Sequence, residues 1–256
     1  GNPICQPVLP AAPETPKANL FSHQVILGSE GDDTQITLAT EDRDFVLQYG
    51  LEGNDTQYLS GGDGDDWLEQ EGGEGDDNLS ILAGYGNDIL HQDGGSGNDM
   101  INAQGGHGND WIQQFGGLAD DNISAMGDEG NDNIYQSGGA GHDTIQADGG
   151  VGDDLAWIDG GEGNDTLSYD VSSGQDTVYI IGGPGIDGLT VNLGNLHDFT
   201  LVDESGQVLY SIGSGGTYLI VKELERITVL GANGEVVYSL NKTKVAPILA
   251  PLLLLD

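Results

Sequence analysis

The sequence predicts an all-β protein built as a parallel β-solenoid, and two regularities in its 256 residues lead to this prediction. The first is an eleven-residue repeat, because Asp stands at every eleventh position between residues 33 and 187, fifteen times in succession. The second is composition, because the chain has 44 glycines and about three of them fall in each repeat unit. An eleven-residue period also matches an α-helical repeat, but each glycine would cost a helix about 1 kcal/mol relative to alanine. The unit is therefore a glycine-rich turn followed by a short strand, and such strands become stable only by stacking on copies of themselves.

The repeat unit reads G-G-x-G-N/D-D-x-(I/L)-x-x-x, as in residues 94–104. Gly stands two residues before the repeated Asp in thirteen of the fifteen rows. We number the unit from its first glycine, so that the repeated Asp is at position six and the apolar residue at position eight. Because side chains alternate along a strand, position eight is expected to point inwards and position seven outwards.

Position ten sets the size of one coil. It carries Gln in every second unit, and the units between carry Ala103, Ala125 and Ala147. One coil therefore contains two units, or 22 residues, and residues 28–192 would form 165/22 = 7.5 coils. Position ten shares the orientation of position eight, so the Gln side chains are expected to stack inside as a hydrogen-bonded ladder. The alternative to a buried ladder is that position ten lies at the corner of the coil and its Gln side chain faces water. The Gln residues concerned, which define what we call the Gln wall, are Gln48, Gln70, Gln92, Gln114 and Gln136.

Composition divides the chain into four segments. Residues 1–26 are rich in Pro, residues 27–192 form the solenoid, residues 193–244 alternate apolar and polar residues, and residues 245–256 form an apolar tail. The third segment predicts a β-rich cap that closes the open end of the solenoid. The two terminal segments are candidates for strands donated to a neighbouring copy. No apolar run reaches the roughly 18 residues of a membrane span, and the single Cys5 permits no intrachain disulfide.

The charge balance is strongly acidic, with 43 acidic residues, 6 basic residues and a net charge of −37. Such a polyanion repels nucleic acids and anionic membrane surfaces, so we expect neither as a partner. No Lys or Arg lies between Arg43 and Lys222. Stacked coils would bring successive position-six Asp residues to about 4.8 Å, where like charges repel strongly. A bound cation is therefore expected, and Ca²⁺ suits the turns because it accepts six to eight carboxylate and carbonyl oxygens.

The calcium ligands are expected between each turn and its counterpart 22 residues later. Two files of eight and seven Asp residues allow seven plus six, or thirteen, ions, which would change the net charge from −37 to −11. Extracellular sites of this kind bind at about 0.1 to 1 mM, so calcium is expected to switch folding on outside the cell. Arg43 is expected to replace a cation beside Asp44; the alternative to metal binding is an acidic, solubilising repeat. The predicted ligands are Asp33, Asp55, Asp66, Asp77, Asp88, Asp99, Asp110, Asp121, Asp132, Asp143, Asp154, Asp165, Asp176 and Asp187.

The rows between residues 50 and 189 resemble the glycine- and aspartate-rich repeats of RTX (hemolysin-type) proteins, which form calcium-binding β-rolls. The resemblance covers more than half of the chain and implies that the turn residues bind Ca²⁺ between successive coils. It also implies an extracellular or cell-surface bacterial protein, secreted by a type I system. The repeat differs from the family in length, because the usual unit has nine residues and this one has eleven. The two added residues lengthen each strand and leave the turn motif unchanged.

The outward position seven differs between the two walls of the solenoid. On the Gln wall it is mostly large and apolar, and on the other wall it is mostly Thr or Asn. An apolar stripe on a flat sheet indicates a contact surface. Two alternatives to a protein contact surface are a sugar-binding platform and an error in our assignment, in which position seven points inwards and position eight outwards. The residues predicted to form the interface are Phe45, Trp67, Ile89, Trp111, Tyr135, Leu155 and Trp157.

The sequence favours a structural function over an enzymatic one. It contains no Gly-x-Ser-x-Gly, His-Glu-x-x-His or Gly-x-x-x-x-Gly-Lys motif, so we expect no enzyme. The expected function is a secreted calcium-binding structural protein that folds on binding calcium. It would then self-associate through the Gln wall and the tails into a filament or surface layer. The alternative is a monomeric RTX-type calcium-binding module for adhesion or type I secretion.

Overall fold

The computed structural model describes residues 22–196, 198–213 and 215–242. All regular elements in these residues are β-strands, and they form two sheets of eleven and ten strands. The prediction of an all-β parallel solenoid is confirmed. Cys5 and the apolar tail at 245–256 lie outside the described residues, as does most of the Pro-rich N-terminal segment.

The two sheets face each other, and successive strands alternate between them. Sheet A contains, in spatial order, β1 (Ser22–Leu27), β3 (Asp44–Glu52), β5 (Trp67–Glu74), β7 (Ile89–Ser96), β9 (Trp111–Leu118), β11 (Asn133–Ala140), β13 (Leu155–Glu162), β15 (Thr177–Ile181), β19 (Thr217–Lys222), β17 (Phe199–Asp203) and β18 (Val208–Ile212). Sheet B contains, in spatial order, β2 (Thr34–Leu38), β4 (Thr56–Asp63), β6 (Asn78–Tyr85), β8 (Met100–His107), β10 (Asn122–Glu129), β12 (Thr144–Asp148), β14 (Thr166–Asp170), β16 (Gly188–Asn192), β20 (Arg226–Leu230) and β21 (Val236–Asn241).

The register between coils is uniform. Each residue lies opposite the residue 22 positions later in the next parallel strand, as Trp67 lies opposite Ile89. This confirms the 22-residue coil. The stack is longer than the predicted 7.5 coils, because nine parallel strands of sheet A belong to it, from β1 to β19. The repeat count began at residue 28 and so missed β1, which lies mostly in the segment predicted as Pro-rich (1–26) but pairs in parallel with β3. It also missed the last coil, because an insertion containing β17 and β18 separates it and places Thr177 opposite Tyr218.

The interior is formed by positions eight and ten, as the alternation predicted. Position-eight residues such as Leu68, Leu90 and Ile112 are fully buried. The position-ten Gln side chains of sheet A, which is the Gln wall, are also fully buried. Each Nε2 donates to Oε1 of the Gln one coil earlier, from Gln70 to Gln48 at 2.7 Å and from Gln92 to Gln70 at 2.8 Å. The ladder prediction is confirmed, and the alternatives of a solvated Gln and an inverted strand orientation are wrong.

The C-terminal end of the solenoid is capped by antiparallel strands. In sheet A, β18 pairs antiparallel with β17, and in sheet B, β21 pairs antiparallel with β20. Tyr210 and Tyr238 join the two edges, with ring centroids 5.8 Å apart. An antiparallel edge interrupts the parallel register that a further coil would need. The antiparallel edge strands are β18 and β21, whereas β19 and β20, which also lie in the segment predicted as a cap, continue the parallel stack. No helix long and apolar enough to cross a bilayer occurs in the part of the chain that the structure describes.

Candidate cation-binding turns

The position-six Asp residues form two straight files, one at the turns entering sheet B and one at the turns entering sheet A. From Asp44 to Asp187 each of them is at most 3% exposed. Asp33, in the first turn, is partly exposed. Burial of a whole file of carboxyl groups is energetically costly unless each group has a partner or loses its charge.

One oxygen of each carboxyl group has a backbone partner. From Asp55 and Asp66 onwards, Oδ1 of each Asp accepts a hydrogen bond from the backbone N–H of the Asp one coil earlier. Asp88 N–H donates to Asp110 Oδ1 at 2.8 Å, and Asp110 N–H donates to Asp132 Oδ1 at 2.7 Å. The pattern continues along both files and joins all thirteen pairs that the sequence predicted to sandwich an ion. The Asp files are therefore internal ladders that connect the backbones of successive coils.

The other oxygen, Oδ2, has no hydrogen-bond partner among the described residues in most turns. It is buried, so water does not replace the missing partner. The Asp residues with a buried, unpartnered Oδ2 are Asp55, Asp66, Asp77, Asp88, Asp99, Asp110, Asp121, Asp132, Asp143, Asp154, Asp165 and Asp187. Each therefore offers a free lone pair inside the turn.

The glycine at position one explains how Oδ2 is enclosed. A Cβ added to Gly72 would lie 2.3 Å from Asp77 Oδ2 and 2.6 Å from the carbonyl oxygen of Gly94, one coil further on. Glycine is needed here because the carboxylate and the carbonyl both approach its Cα. The same two kinds of oxygen meet at Gly105, where an added Cβ would lie 2.4 Å from Asp110 Oδ2 and 2.8 Å from Gly127 O.

Burial strongly perturbs these carboxyl groups. Desolvation is the main cause, and neighbouring Asp charges add to it, while the hydrogen bond from the backbone N–H opposes it. The pKa is raised to about 6 for Asp66, Asp99, Asp110 and Asp143. It is raised to about 7 for Asp121, Asp132 and Asp154, and to about 8 for Asp88. The two ion pairs found among the described residues, His107–Glu129 and Lys222–Glu223, include none of these Asp residues.

The turns at the two ends give Oδ2 a hydroxyl partner. Asp33 Oδ2 accepts from the backbone N–H and Oγ of Ser29, the latter at 2.9 Å, and Asp44 Oδ2 accepts from the N–H and Oγ1 of Thr40. In these two turns Ser or Thr replaces the usual position-two glycine. At the other end, Thr217 Oγ1 donates to Asp176 Oδ2 at 2.8 Å. The unpartnered Oδ2 atoms thus belong to the central turns and to the last Asp of one file, Asp187.

The last coil continues both ladders with residues that the repeat did not reveal. Thr217 and Glu225 occupy the positions one coil after Asp176 and Asp187, and Asp187 N–H donates to Glu225 Oε2 at 2.9 Å. The insertion before β19 removed them from the eleven-residue count.

A second, outer ladder explains the Asn or Asp at position five. Its side-chain oxygen accepts from the backbone N–H of position five one coil later, so it points opposite to the inner ladder. Asn98 N–H donates to Asp76 Oδ1 at 2.8 Å, and Asn109 N–H donates to Asn87 Oδ1 at 2.9 Å. The sequence showed this preference, but its role becomes visible only when the coils are stacked. Each turn is therefore connected to its neighbours by side-chain hydrogen bonds in both directions.

The donor chemistry of the central turns fits a hard cation. The available groups are Asp Oδ2 and backbone carbonyl oxygens, and Ca²⁺ prefers such all-oxygen ligands. The described residues contain no cluster of three or more His, Cys, Asp or Glu side chains that could hold a metal. A calcium ion in these turns must therefore take most of its ligands from the backbone and only one or two from carboxylates. The exposed Arg43 lies beside Asp44, the turn in which Thr40 already satisfies Oδ2.

The predicted interface residues all lie on the outer face of sheet A and are half-buried. Several are stacked along the solenoid axis. Phe45 and Trp67 have centroids 6.0 Å apart, and Trp157 stacks on Tyr179 at 5.7 Å. On sheet B, by contrast, position-seven residues such as Thr56 and Asn78 are exposed. The aromatic ladder is thus partly stabilised by contacts within its own sheet.

The fold and the turns together define a parallel β-solenoid with two internal aspartate ladders. No protein-family model matches this chain, and neither a curated protein nor a solved structure gives a significant match. The resemblance to RTX repeats therefore rests on the turn motif and its regular spacing alone.

Proposed function

We propose that this protein is a calcium-dependent β-solenoid that acts as an extracellular structural protein. The observation that carries the proposal is the row of buried Asp Oδ2 atoms without a hydrogen-bond partner among the described residues. A chain with a net charge of −37 cannot neutralise these groups with its 6 basic residues. Calcium bound at Oδ2 and neighbouring carbonyls would remove this unfavourable charge and connect successive coils.

The proposed location outside the cell follows from affinity. Calcium sites of extracellular modules bind at about 0.1 to 1 mM, a concentration that the cytosol does not reach. If each filled site contributes only about 1 kcal/mol, several sites together equal the whole stability of an ordinary domain. Calcium would then couple folding to export from the cell, and the cell that makes the protein is proposed to be bacterial.

The outer face of sheet A supports self-association into a filament or surface layer. Its half-buried aromatic residues recur along several coils, whereas position seven of sheet B is mostly Thr or Asn. Calcium would also reduce the repulsion between copies, because thirteen ions change −37 to −11. The monomeric calcium-binding module remains the second candidate, because the aromatic rings already contact one another along the sheet.

Circular dichroism tests the proposed calcium-dependent folding, and light scattering tests the proposed self-association. In excess EDTA the β-type spectrum should be lost, and 1 to 10 mM calcium, about tenfold above the expected affinity, should restore it. A native spectrum that persists in EDTA would contradict the calcium proposal.

For assembly, the double variant Trp67→Ser and Trp111→Ser should fold with calcium but remain monomeric. The matched control, Thr56→Ser with Asn78→Ser on sheet B, should assemble like the parent protein. Assembly by the Trp double variant, or a parent protein that stays monomeric in calcium, would leave the monomeric module as the function.

A further inference from the structure

A surface trough of about 600 Å³ runs along the solenoid axis where strands β6, β8 and β10 end. Its floor is backbone, because position two is glycine at Gly84, Gly106 and Gly150. One wall is formed by the position-eleven side chains of Leu82 and Gln104. The trough spans four successive coils, or three intervals of about 4.8 Å, so it is about 14 Å long.

The opposite wall carries an aromatic platform. The Tyr85 and His107 rings are stacked with centroids 4.4 Å apart and planes 9° apart. His107 Nδ1 lies 2.9 Å from Glu129 Oε2, which fixes the orientation of the imidazole ring. Tyr85 is nevertheless 58% exposed. The stack is thus ordered by its neighbours while leaving aromatic surface open to the trough.

Asp128 is the side chain that departs from the glycine floor. It stands at position two, where neighbouring coils have glycine, and it keeps the left-handed backbone of those glycines with φ of 73°. A non-glycine residue in this conformation is strained, and such strain concentrates at functional sites. Asp128 places a carboxylate in the trough at an energetic cost that glycine would avoid.

The equivalent groove at the other corner of the solenoid lacks these features. There, position three carries Ser96, Leu118 and Ala140, and position two is Gly117 and Gly139. The aromatic platform and the strained carboxylate are therefore not general consequences of the repeat.

The lining restricts the chemistry of a ligand. Two carboxylates and no Lys or Arg line the trough, which disfavours an anion. Glu129 is already engaged by His107, which leaves the Asp128 carboxylate as a hydrogen-bond acceptor for a ligand. An aromatic face, an apolar wall and the hydrogen-bonding groups of Gln104 and Asp128 match a ring with apolar C–H faces and peripheral hydroxyl groups.

We propose that this trough binds a neutral, extended oligosaccharide that packs one sugar ring on the open face of Tyr85 and whose hydroxyl groups bond to Asp128 and Gln104. The length of the trough favours several linked sugar rings over one. The site depends on the solenoid fold but not on which ion fills the turns, so its failure would leave the calcium proposal intact.

Isothermal titration of the full chain in calcium tests the proposal. The probes are cellohexaose, mannohexaose and xylohexaose, compared with anionic hexagalacturonate and the cationic chitosan hexamer. At least one neutral hexamer should bind, and Tyr85→Ala should weaken its binding by about tenfold or more. Tyr58→Ala, an aromatic truncation elsewhere on sheet B, should leave binding unchanged.

Asp128→Gly separates a binding role from a structural one. The substitution should raise the urea midpoint, because glycine accepts the left-handed backbone without strain, yet it should weaken binding of the same hexamer. The proposal is overturned if the neutral hexamers do not bind or if only a charged hexamer binds. It is also overturned if Tyr85→Ala and Asp128→Gly bind like the parent protein.

Discussion

Replacing Asp110 by Asn should change the stability of the protein in opposite directions with and without calcium. Asn keeps Oδ1, which accepts from Asp88 N–H at 2.8 Å. It replaces the buried, unpartnered Oδ2 by a neutral NH₂ group, and the carbonyl oxygen of Gly127 borders the same space at Gly105. The variant therefore removes a buried charge without opening a cavity.

The magnitude follows from the pKa of Asp110, which burial raises from 3.8 to about 6. A shift of that size corresponds to about 3 kcal/mol at neutral pH. Partial hydration and local relaxation reduce this value, so we expect Asp110→Asn to stabilise the calcium-free protein by about 1 to 3 kcal/mol. In calcium the same change removes a ligand, and the calcium concentration at half-folding should rise about tenfold or more, equivalent to about 1.4 kcal/mol.

In EDTA at pH 8 the parent protein should be unfolded, so the concentration of a stabilising osmolyte that refolds each protein measures the calcium-free effect, and urea unfolding in calcium measures the other effect. Asp33→Asn is the matched control, because its Oδ2 already accepts hydrogen bonds from Ser29. An NH₂ group there faces donors, so Asp33→Asn should destabilise the protein in both conditions. If Asp110→Asn destabilises the protein equally with and without calcium, the reasoning about the unpartnered oxygen is refuted.

Three further predictions concern pH, the Gln ladder and the turn glycines. Without calcium, stability should rise as the pH falls from 8 to 5, because the ladder carboxyls have folded-state pKa values of about 6 to 8, above their ordinary 3.8, and so bind more protons when folded. The β-type circular dichroism signal lost in EDTA at pH 8 should therefore recover at least in part at pH 5, and a signal that stays absent would contradict this. Gln114→Leu leaves Gln92 Oε1 without its donor and should lower the free energy of unfolding by about 1 to 3 kcal/mol in urea titrations. An unchanged free energy of unfolding would argue against a stabilising role of the Gln ladder. Gly95→Ala should lower the free energy of unfolding by about 2 kcal/mol or more, because the backbone φ is 99° and the added Cβ would lie 2.2 Å from Gly73 O. In the control Gly31→Ala the added Cβ meets no atom within 4 Å, so thermal unfolding should be nearly unchanged.

Much of the fold could be predicted because the repeat is nearly free of exceptions. The alternation of Gln and Ala at position ten predicted the 22-residue coil and the buried Gln ladder, since position ten shares the orientation of position eight. The last coil could not be counted, because the insertion between Asn192 and Thr217 places Thr217 and Glu225 outside the eleven-residue spacing.

The sequence predicted which Asp residues lie in the candidate site, but it did not predict how their carboxyl groups are arranged. Sequence spacing predicts that Asp88 and Asp110 lie one coil apart. It does not show that one oxygen is used by a backbone N–H while the other is left against the position-one glycine. That arrangement depends on the positive φ values in the turn and on the carbonyl orientation of the next coil. The sequence did not predict the position-five ladder, because a preference for Asn or Asp at that position also fits an ordinary turn.

The most direct test of the calcium ladder is to count bound ions by native mass spectrometry in 1 mM calcium. The sequence sets an upper limit of thirteen ions for two files of eight and seven Asp residues, and binding at the shared oxygens predicts a cooperative series that approaches this number. Asp110→Asn should lower the maximum by one or two ions, because Asp110 lies in the middle of its file. A parent protein that binds none, or only one or two ions without cooperativity, would contradict the account.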